Sequence, residues 1–186
     1  MLAASRVIDR KGYANAGIME IAGEAGASRA TFYLHFSSKV DLVRALMDPL
    51  LEDAMGYYGR LPAMMDPTWE QIRDWFDEVI HHWEDHHVPI GAVQQGAANE
   101  PELAQALMRV VSGVAEFLAP WLAGCAGIDE DLAKLRATLW ILETERTAYF
   151  WKIRQISFDR DLVLDVLADS LWVSLQPPSR SRMVRR

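Results

Sequence analysis

The segment 28–36 sets donors and acceptors suited to base edges and phosphates close together: Arg29, Thr31, Tyr33 and His35, preceded by Ser28. What precedes them explains how they would be presented. Ile18, Ile21, Ala22 and Ala25 fall at i, i+3, i+4 and i+7, one face of a helix. Gly26 can take the positive φ at which that helix stops, and Ser28 is a side-chain N-cap for the next. The pattern is helix, short turn, helix, and then a longer helix toward Met47. Two helices crossing steeply over so short a turn leave no room for bulk, so Ala22 and Gly26 are expected where they touch. Phe32 and Phe36 then point into a core shared with Ile21, and the helix Arg29 to His35 has the profile of a recognition helix.

Other groupings carry less. His81, His82, His86 and His87 flank Trp83-Glu84-Asp85 at a helix end, and His82 and His86, at i and i+4, could share a divalent metal. Histidines at a helix C-terminus also suit the helix dipole without any metal. Trp83 follows His82 where the zinc-protease spacing requires Glu, so that chemistry is excluded. Glu143, Glu145 and Arg146 fall between Trp140 and Tyr149. Arg146 there is expected to pair with Glu143 or with a charge on another helix, a carboxylate-binding role being the alternative. No phosphate-cradling glycine loop, nucleophile elbow or pair of catalytic carboxylates occurs, so no cofactor, catalytic residue or structural metal is expected and the chain does not read as an enzyme.

A chain of 186 residues with 51% hydrophobic side chains can bury one good-sized core, or a small module and a larger domain. The start lacks the long apolar run of a secretory signal, and no window of about eighteen apolar residues is free of charge, so no membrane segment is expected. The single cysteine, Cys125, agrees with a reducing cytoplasm. The net charge of −7 is unevenly divided. Residues 1–47 hold six basic side chains against four acidic ones, a local +2, and residues 179–186 add four arginines, which leaves −13 for the middle. The two ends would meet a polyanion and the acidic middle would face away from it.

Along the chain, Leu2 to Lys11 forms a first helix ended by Gly12. The helix from Ser37 or Ser38 to Tyr58 has Leu42, Leu46, Leu50 and Met55 on one stripe. Pro49 inside it predicts a kink near Ala45 to Pro49, either a hinge or a bend around the core. Residues 59–67 read as a loop, with Asp66 capping and Pro67 opening an amphipathic helix to His87. Further helices span Pro89 to Ala98, Pro101 to Ala123, Asp129 to about Ile156, and Asp159 to a stop before Pro177. About nine helices and no strand result: an all-α chain with a three-helix head (1–47), a larger body (48–178) and a disordered basic tail (179–186).

The series Gly12-Tyr13, Ile21-Ala22-Gly23-Glu24-Ala25-Gly26-Ala27-Ser28, Thr31-Phe32-Tyr33-Leu34-His35-Phe36 and Ser38-Lys39-Val40-Asp41-Leu42 resembles the TetR-type transcriptional regulators. The resemblance implies an all-helical, homodimeric, ligand-responsive repressor that binds a palindromic double-stranded operator and is released by a small effector. It also implies that the Tyr33 and Lys39 positions clamp phosphates, alongside Ser28, Arg29, Thr31 and His35 on the recognition helix. Two departures bear on DNA affinity. Met1 falls within the first helix, where family members carry a further turn and a basic segment. Ala16-Gly17 stands where they carry a capping Thr or Ser.

Leu142 to Phe150, with Leu171-Trp172-Val173, is similar to the EthR-like branch, whose pocket is an aromatic tunnel. By position, Thr144 stands where that branch places a ligand-bonding amide, and Trp172 where it places a pocket tryptophan. Helix periodicity adds Phe76, Ile80 and Trp83, faced by Met108, Val111 and Trp140; each is also a candidate for plain core. Leu164, Leu167, Leu171 and Leu175 are the expected seam of a dimer built through the last two helices. The competing reading is a helical small-molecule-binding protein or enzyme whose amino-terminal helices are vestigial.

Overall fold

The computed structural model describes residues 1–177; the basic tail expected at 179–186 lies outside them. Among the described residues there are nine α-helices and no strand: α1 (Leu2–Lys11), α2 (Ile18–Glu24), α3 (Arg29–His35), α4 (Lys39–Tyr58), α5 (Trp69–Asp85), α6 (His87–Asn99), α7 (Pro101–Ala126), α8 (Glu130–Ala148) and α9 (Arg160–Leu175). A 3₁₀ turn at Leu61–Ala63 follows α4, and a π-helical turn at Tyr149–Ile153 follows α8.

The chain divides into two compact units, one of Met1–Ala54 with Trp83–Val110, the other of Met55–His82 with residues from Val111 onward. The first is larger than the 1–47 head expected from the helix-turn-helix pattern. Its core explains why: Val7, Ile8, Ile21, Phe32, Leu42 and Val43 are closed over by Ala92 and Val93 of α6 and Leu103 of α7. Three short helices have too little apolar surface to shield one another, and α6 supplies the missing wall.

Local chemistry sets the turn. The Ser28 hydroxyl accepts the Thr31 N–H at 3.0 Å, which caps α3. Gly26 has φ +66°, and a Cβ there would meet nothing within 4 Å. Its glycine is thus required by backbone conformation, not by the close helix crossing the sequence suggested, where Ala22 alone is buried.

Close approach instead decides Gly96 on α6, where an added Cβ would stand 2.8 Å from Leu103 Cδ1 and 2.9 Å from Val43 Cγ1. The Gly96→Ala variant should therefore lose about 1–3 kcal/mol of stability. Calorimetry should show Tm lowered by several degrees; an unchanged Tm would mean that Leu103 and Val43 yield without cost.

In the second unit, Ile72, Trp75, Phe76, Val79 and Ile80 of α5 are buried with Leu118 and Leu122 of α7, Trp140 and Ile141 of α8, and Leu164 and Leu171 of α9. α5 opens differently from the expected Asp66 cap. The Thr68 N–H donates to Gln71 Oε1 at 2.8 Å and the Gln71 N–H to Thr68 Oγ1 at 3.3 Å, a reciprocal box that satisfies two end donors where Asp66 would satisfy one. α7 continues through Gly124 and stops at Gly127, which takes φ +62°. α8 does not reach Ile156. It widens at Tyr149–Ile153, where Arg154 N–H reaches Tyr149 O at 3.0 Å, and this turn keeps Trp151 in the core.

By length and composition α7 could cross a membrane. Its Val111, Val114, Ala115, Leu118 and Leu122 are spent in the core, and Glu116 pairs with Lys134 of α8 at 3.1 Å.

The expected dimer seam needs correction. Leu164, Leu167, Leu171 and Leu175 are buried within this unit, because α9 is apolar on most of its circumference and these four lie on its inward stripe. The outward apolar face carries Leu135 and Leu139 on α8 and Leu162, Val166 and Val173 on α9.

Candidate nucleic-acid interface and inner cluster

Seven residues make α3, and only Phe32 among them is buried. Phe32 anchors the helix against Phe36 (ring centroids 5.7 Å apart) and carries Tyr33 edge-on at 5.4 Å. Arg29, Thr31, Tyr33, Leu34 and His35 are all exposed, so the structure brings four of the sequence-predicted residues onto one presented helix. The Arg29 guanidinium lies 5.6 Å over the Tyr33 ring, stiffening both. Ser28 is committed to the cap, and its hydroxyl shares a 2.9 Å hydrogen bond with Thr31 Oγ1.

Leu34 was not singled out by the sequence, yet it is 83% exposed between Tyr33 and His35. The signal was available, since it falls off the face defined by Phe32 and Phe36. An apolar side chain there can meet a thymine methyl group.

Lys39 sits behind this helix. Its ammonium donates to Tyr13 O at 2.5 Å and Ala16 O at 3.2 Å and lies 4.2 Å from the Tyr13 ring centroid. One of its three N–H groups remains for an outside acceptor. Partial burial lowers its pKa, opposed by the Glu100 charge. Tyr13 is held in turn: its N–H donates to Gln95 Oε1 at 3.0 Å and its hydroxyl to Glu100 Oε1 at 3.1 Å. Burial and Glu100 push that hydroxyl well above its ordinary pKa. Lys39 therefore ties the connection after α1 to the start of α4, and Tyr13 ties it to the α6–α7 corner. Arg10, Lys11 and Arg44 are paired with Glu24, Glu20 and Glu102, exposed pairs that contribute little to stability.

Of the residues proposed from aromatic periodicity, Phe76, Ile80, Val111, Trp140 and Thr144 are buried in the second unit, and Trp172 is half-buried there. Trp83 and Met108 belong to the first unit, where Trp83 is buried and Met108 is 44% exposed. Trp140 and Phe76 join Tyr58 and Trp75, which periodicity did not pick out as a pair. Ring centroids stand 6.0 Å apart for Tyr58–Trp140, 5.9 Å for Trp75–Trp140 and 4.9 Å for Trp75–Phe76.

The polar inventory of this cluster is short. The Trp75 indole N–H donates to Tyr57 O at 2.8 Å, and the Thr144 hydroxyl donates to Trp140 O at 2.8 Å. The buried Trp140 indole N–H has no acceptor among the described residues, a deficit of about 1–3 kcal/mol.

Beside Thr144, Glu145 makes no hydrogen bond or ion pair among the described residues, and burial pushes its carboxyl up to about 7. Arg146 opposes that shift but does not form the expected pair with Glu143. Its guanidinium lies over the rings of Tyr149 (5.3 Å) and Phe150 (6.0 Å), while Glu143 accepts the Ser170 hydroxyl at 2.6 Å. A carboxyl pKa raised on folding favours the folded state below the unfolded value and weakens it as pH rises toward 7. Glu145→Gln removes that cost. The variant should exceed the wild type in stability by about 1–3 kcal/mol at pH 8 and match it more nearly at pH 5, as denaturant titrations at the two pH values would show.

Two of the histidines turn back onto main-chain carbonyls of their own segment. Nδ1 of His81 lies 2.8 Å from Asp77 O, and Nδ1 of His87 lies 2.8 Å from Glu84 O. The His82 ring packs 5.4 Å from that of Tyr57, and His86 Nε2 stands 3.7 Å from Asp53.

A capped surface helix that follows a left-handed glycine and packs on a preceding seven-residue helix has the form of a helix-turn-helix reader of DNA. Residues 1–46 match the family model described as bacterial regulatory proteins, tetR family. The transcriptional activator FasR of Mycolicibacterium smegmatis is 22% identical over 187 residues, covering 97% of this chain and 84% of that protein. The regulator EthR of the same organism is 27% identical over 103 residues, 55% of this chain and 48% of its own. Among solved structures, the fatty acid degradation regulator FadR from Bacillus halodurans superposes with a TM-score of 0.66 at 21% identity, covering 91% of this chain and 90% of that one, which shows the shared all-helical fold. Residues 1–46 thus match the tetR family model, and the chain as a whole is similar to a transcriptional regulator in sequence and to another in fold.

Proposed function

We propose that this chain is a cytoplasmic, homodimeric repressor that leaves a palindromic operator when a small hydrophobic effector enters the aromatic cluster of its second unit. The observation that carries the reading is α3: one buried anchor, Phe32, and an outward face of Arg29, Tyr33, Leu34 and His35. In the complex Arg29 and His35 address base edges or phosphates, Tyr33 and the remaining Lys39 N–H address phosphates, and Ser28 and Thr31 hold the helix end. Leu34 packs on a thymine methyl.

Dimerisation uses the outward face of α8 and α9. Phe76, Ile80, Val111, Trp140, Thr144 and Trp172 supply the effector site. Three helices, α4, α5 and α7, continue from one unit into the other, and an effector with unequal affinity for two arrangements of the body would bias the head through them.

Selection of bound duplexes from a random library tests the reading. The expected product is a palindrome whose half-sites are centred about one helical turn, roughly 10 base pairs, apart or a small multiple of that. Replacing a half-site thymine with uracil should then weaken wild-type binding about fourfold per half-site, the worth of one buried methyl group. Leu34→Ala should show no such loss. Failure to enrich any sequence would sink the regulator reading.

A further inference from the structure

We propose that Glu100, at the corner between α6 and α7, is a positioning residue for DNA: it holds the Tyr13 hydroxyl, and through the Tyr13 ring it sets the Lys39 ammonium that grips operator phosphate. The inference rests on the reading of the first unit as DNA-binding and of Lys39 as a phosphate contact, and it assigns what orients that contact.

Glu100, Gln95, Tyr13 and Lys39 all belong to the first unit. The main chain of Glu100 is fixed at the corner: its N–H donates to Gly96 O at 2.9 Å, and its carbonyl accepts from Leu103 N–H at 3.0 Å and Ala104 N–H at 3.1 Å. Its carboxylate accepts the Tyr13 hydroxyl at 3.1 Å, while Gln95 Oε1 accepts the Tyr13 N–H at 3.0 Å. Tyr13 is thereby held at both ends and is 3% exposed. The Lys39 ammonium rests 4.2 Å from the centre of that ring and donates to Tyr13 O and Ala16 O.

Three consequences follow for Lys39. A phenol that donates to a carboxylate carries more electron density in its ring, so the Glu100 hydrogen bond strengthens the attraction of the ring for the ammonium. The acceptors of Lys39 are neutral carbonyls, whereas Lys11 and Arg10 pair with Glu20 and Glu24; the charge of Lys39 is not spent on a carboxylate. A lysine stem ordered in advance loses little rotamer freedom when a phosphate arrives. The Glu100 charge also opposes the fall in the Lys39 pKa that burial causes, which favours the protonated ammonium.

The sign of one substitution separates positioning from plain electrostatics. Removing an acidic side chain from a DNA-binding unit lessens repulsion of the phosphates and raises affinity. Glu100→Ala is expected to do the opposite. Anisotropy titration of the selected operator at several salt concentrations should find it bound at least about fivefold more weakly than by the wild type. The slope of log affinity against log salt should be flatter by about one per half-site, as when a phosphate contact is lost. Tyr13→Phe, which keeps the buried ring, should behave alike, so the test survives if one variant fails to fold. Glu100→Gln, which still accepts the hydroxyl, should bind within about twofold of the wild type or more tightly. In a Lys39→Met background Glu100→Ala should no longer weaken binding. A merely structural Glu100 would lower Tm and leave the salt slope untouched.

Unchanged or tighter binding by Glu100→Ala, an unaltered salt slope, or a full effect retained beside Lys39→Met would overturn the proposal. If Lys39→Met itself keeps the wild-type slope, the phosphate role of Lys39 and this inference fall together, while the reading of α3 stands on Tyr33→Ala. If the wild type binds no duplex, the regulator reading falls and the inference with it.

Discussion

The Tyr33→Ala variant is expected to bind its operator at least about a hundredfold more weakly than the wild type while unfolding at nearly the same temperature. The ring is 45% exposed, edge-on to Phe32 and beneath the Arg29 guanidinium, so truncation leaves no cavity in the core. On DNA the same ring is an anchor at both half-sites. If each contact is worth about 1–3 kcal/mol, the loss is counted twice in a symmetric complex. Anisotropy titration against the selected operator, with a thermal melt of the same sample, checks both halves of the statement. Lys39→Ala makes an instructive contrast. Its ammonium holds Tyr13 O and Ala16 O, so DNA affinity and the melting temperature should fall together.

Placing a charge at Leu139 should have an effect of similar size by another route. Leu139 is 60% exposed on α8, one turn from the exposed Leu135, and α9 exposes Leu162, Val166 and Val173. A glutamate there costs the isolated chain little. In a symmetric interface it places two charges in an apolar contact, a cost of several kcal/mol. Leu139→Glu is therefore expected to run as a monomer at micromolar concentration in analytical ultracentrifugation. Operator affinity should drop about 10²- to 10⁴-fold as the second head ceases to be tethered. A dimer that survives the substitution would place the interface elsewhere.

The head was legible because its determinants are local. Ser28, Asp129 and Asp159 were expected at helix starts, and each accepts the N–H three residues on, because capping involves a hydroxyl or carboxylate and a main-chain donor a few residues apart. The ends of α3 fall where Gly26, Ser28 and the Phe32–Phe36 pair require. What depends on distant chain was less legible. Gly96 stands in an unremarkable helical stretch, and only the approach of α4 and α7 makes it obligatory.

The leucines of α9 misled for a related reason. On a helix apolar on most sides, periodicity cannot tell the buried stripe from the stripe facing outward. Arg146 was expected to pair with Glu143 or with a charge on another helix. The turn of Arg146 onto two aromatic rings instead is a tertiary event with no signature in spacing. Met108 obeyed the helical period and still stands exposed in the other unit, since a period identifies a face but not what covers it.

Native mass spectrometry of the protein bound to its selected operator tests the central claim, a DNA-reading dimer with one head per half-site. The account predicts a duplex carrying two chains, or an even number, and none carrying an odd number. It also predicts that Tyr33→Ala, still dimeric, leaves the duplex bare at the same concentration. A single chain per operator, or full occupancy by Tyr33→Ala, would contradict it.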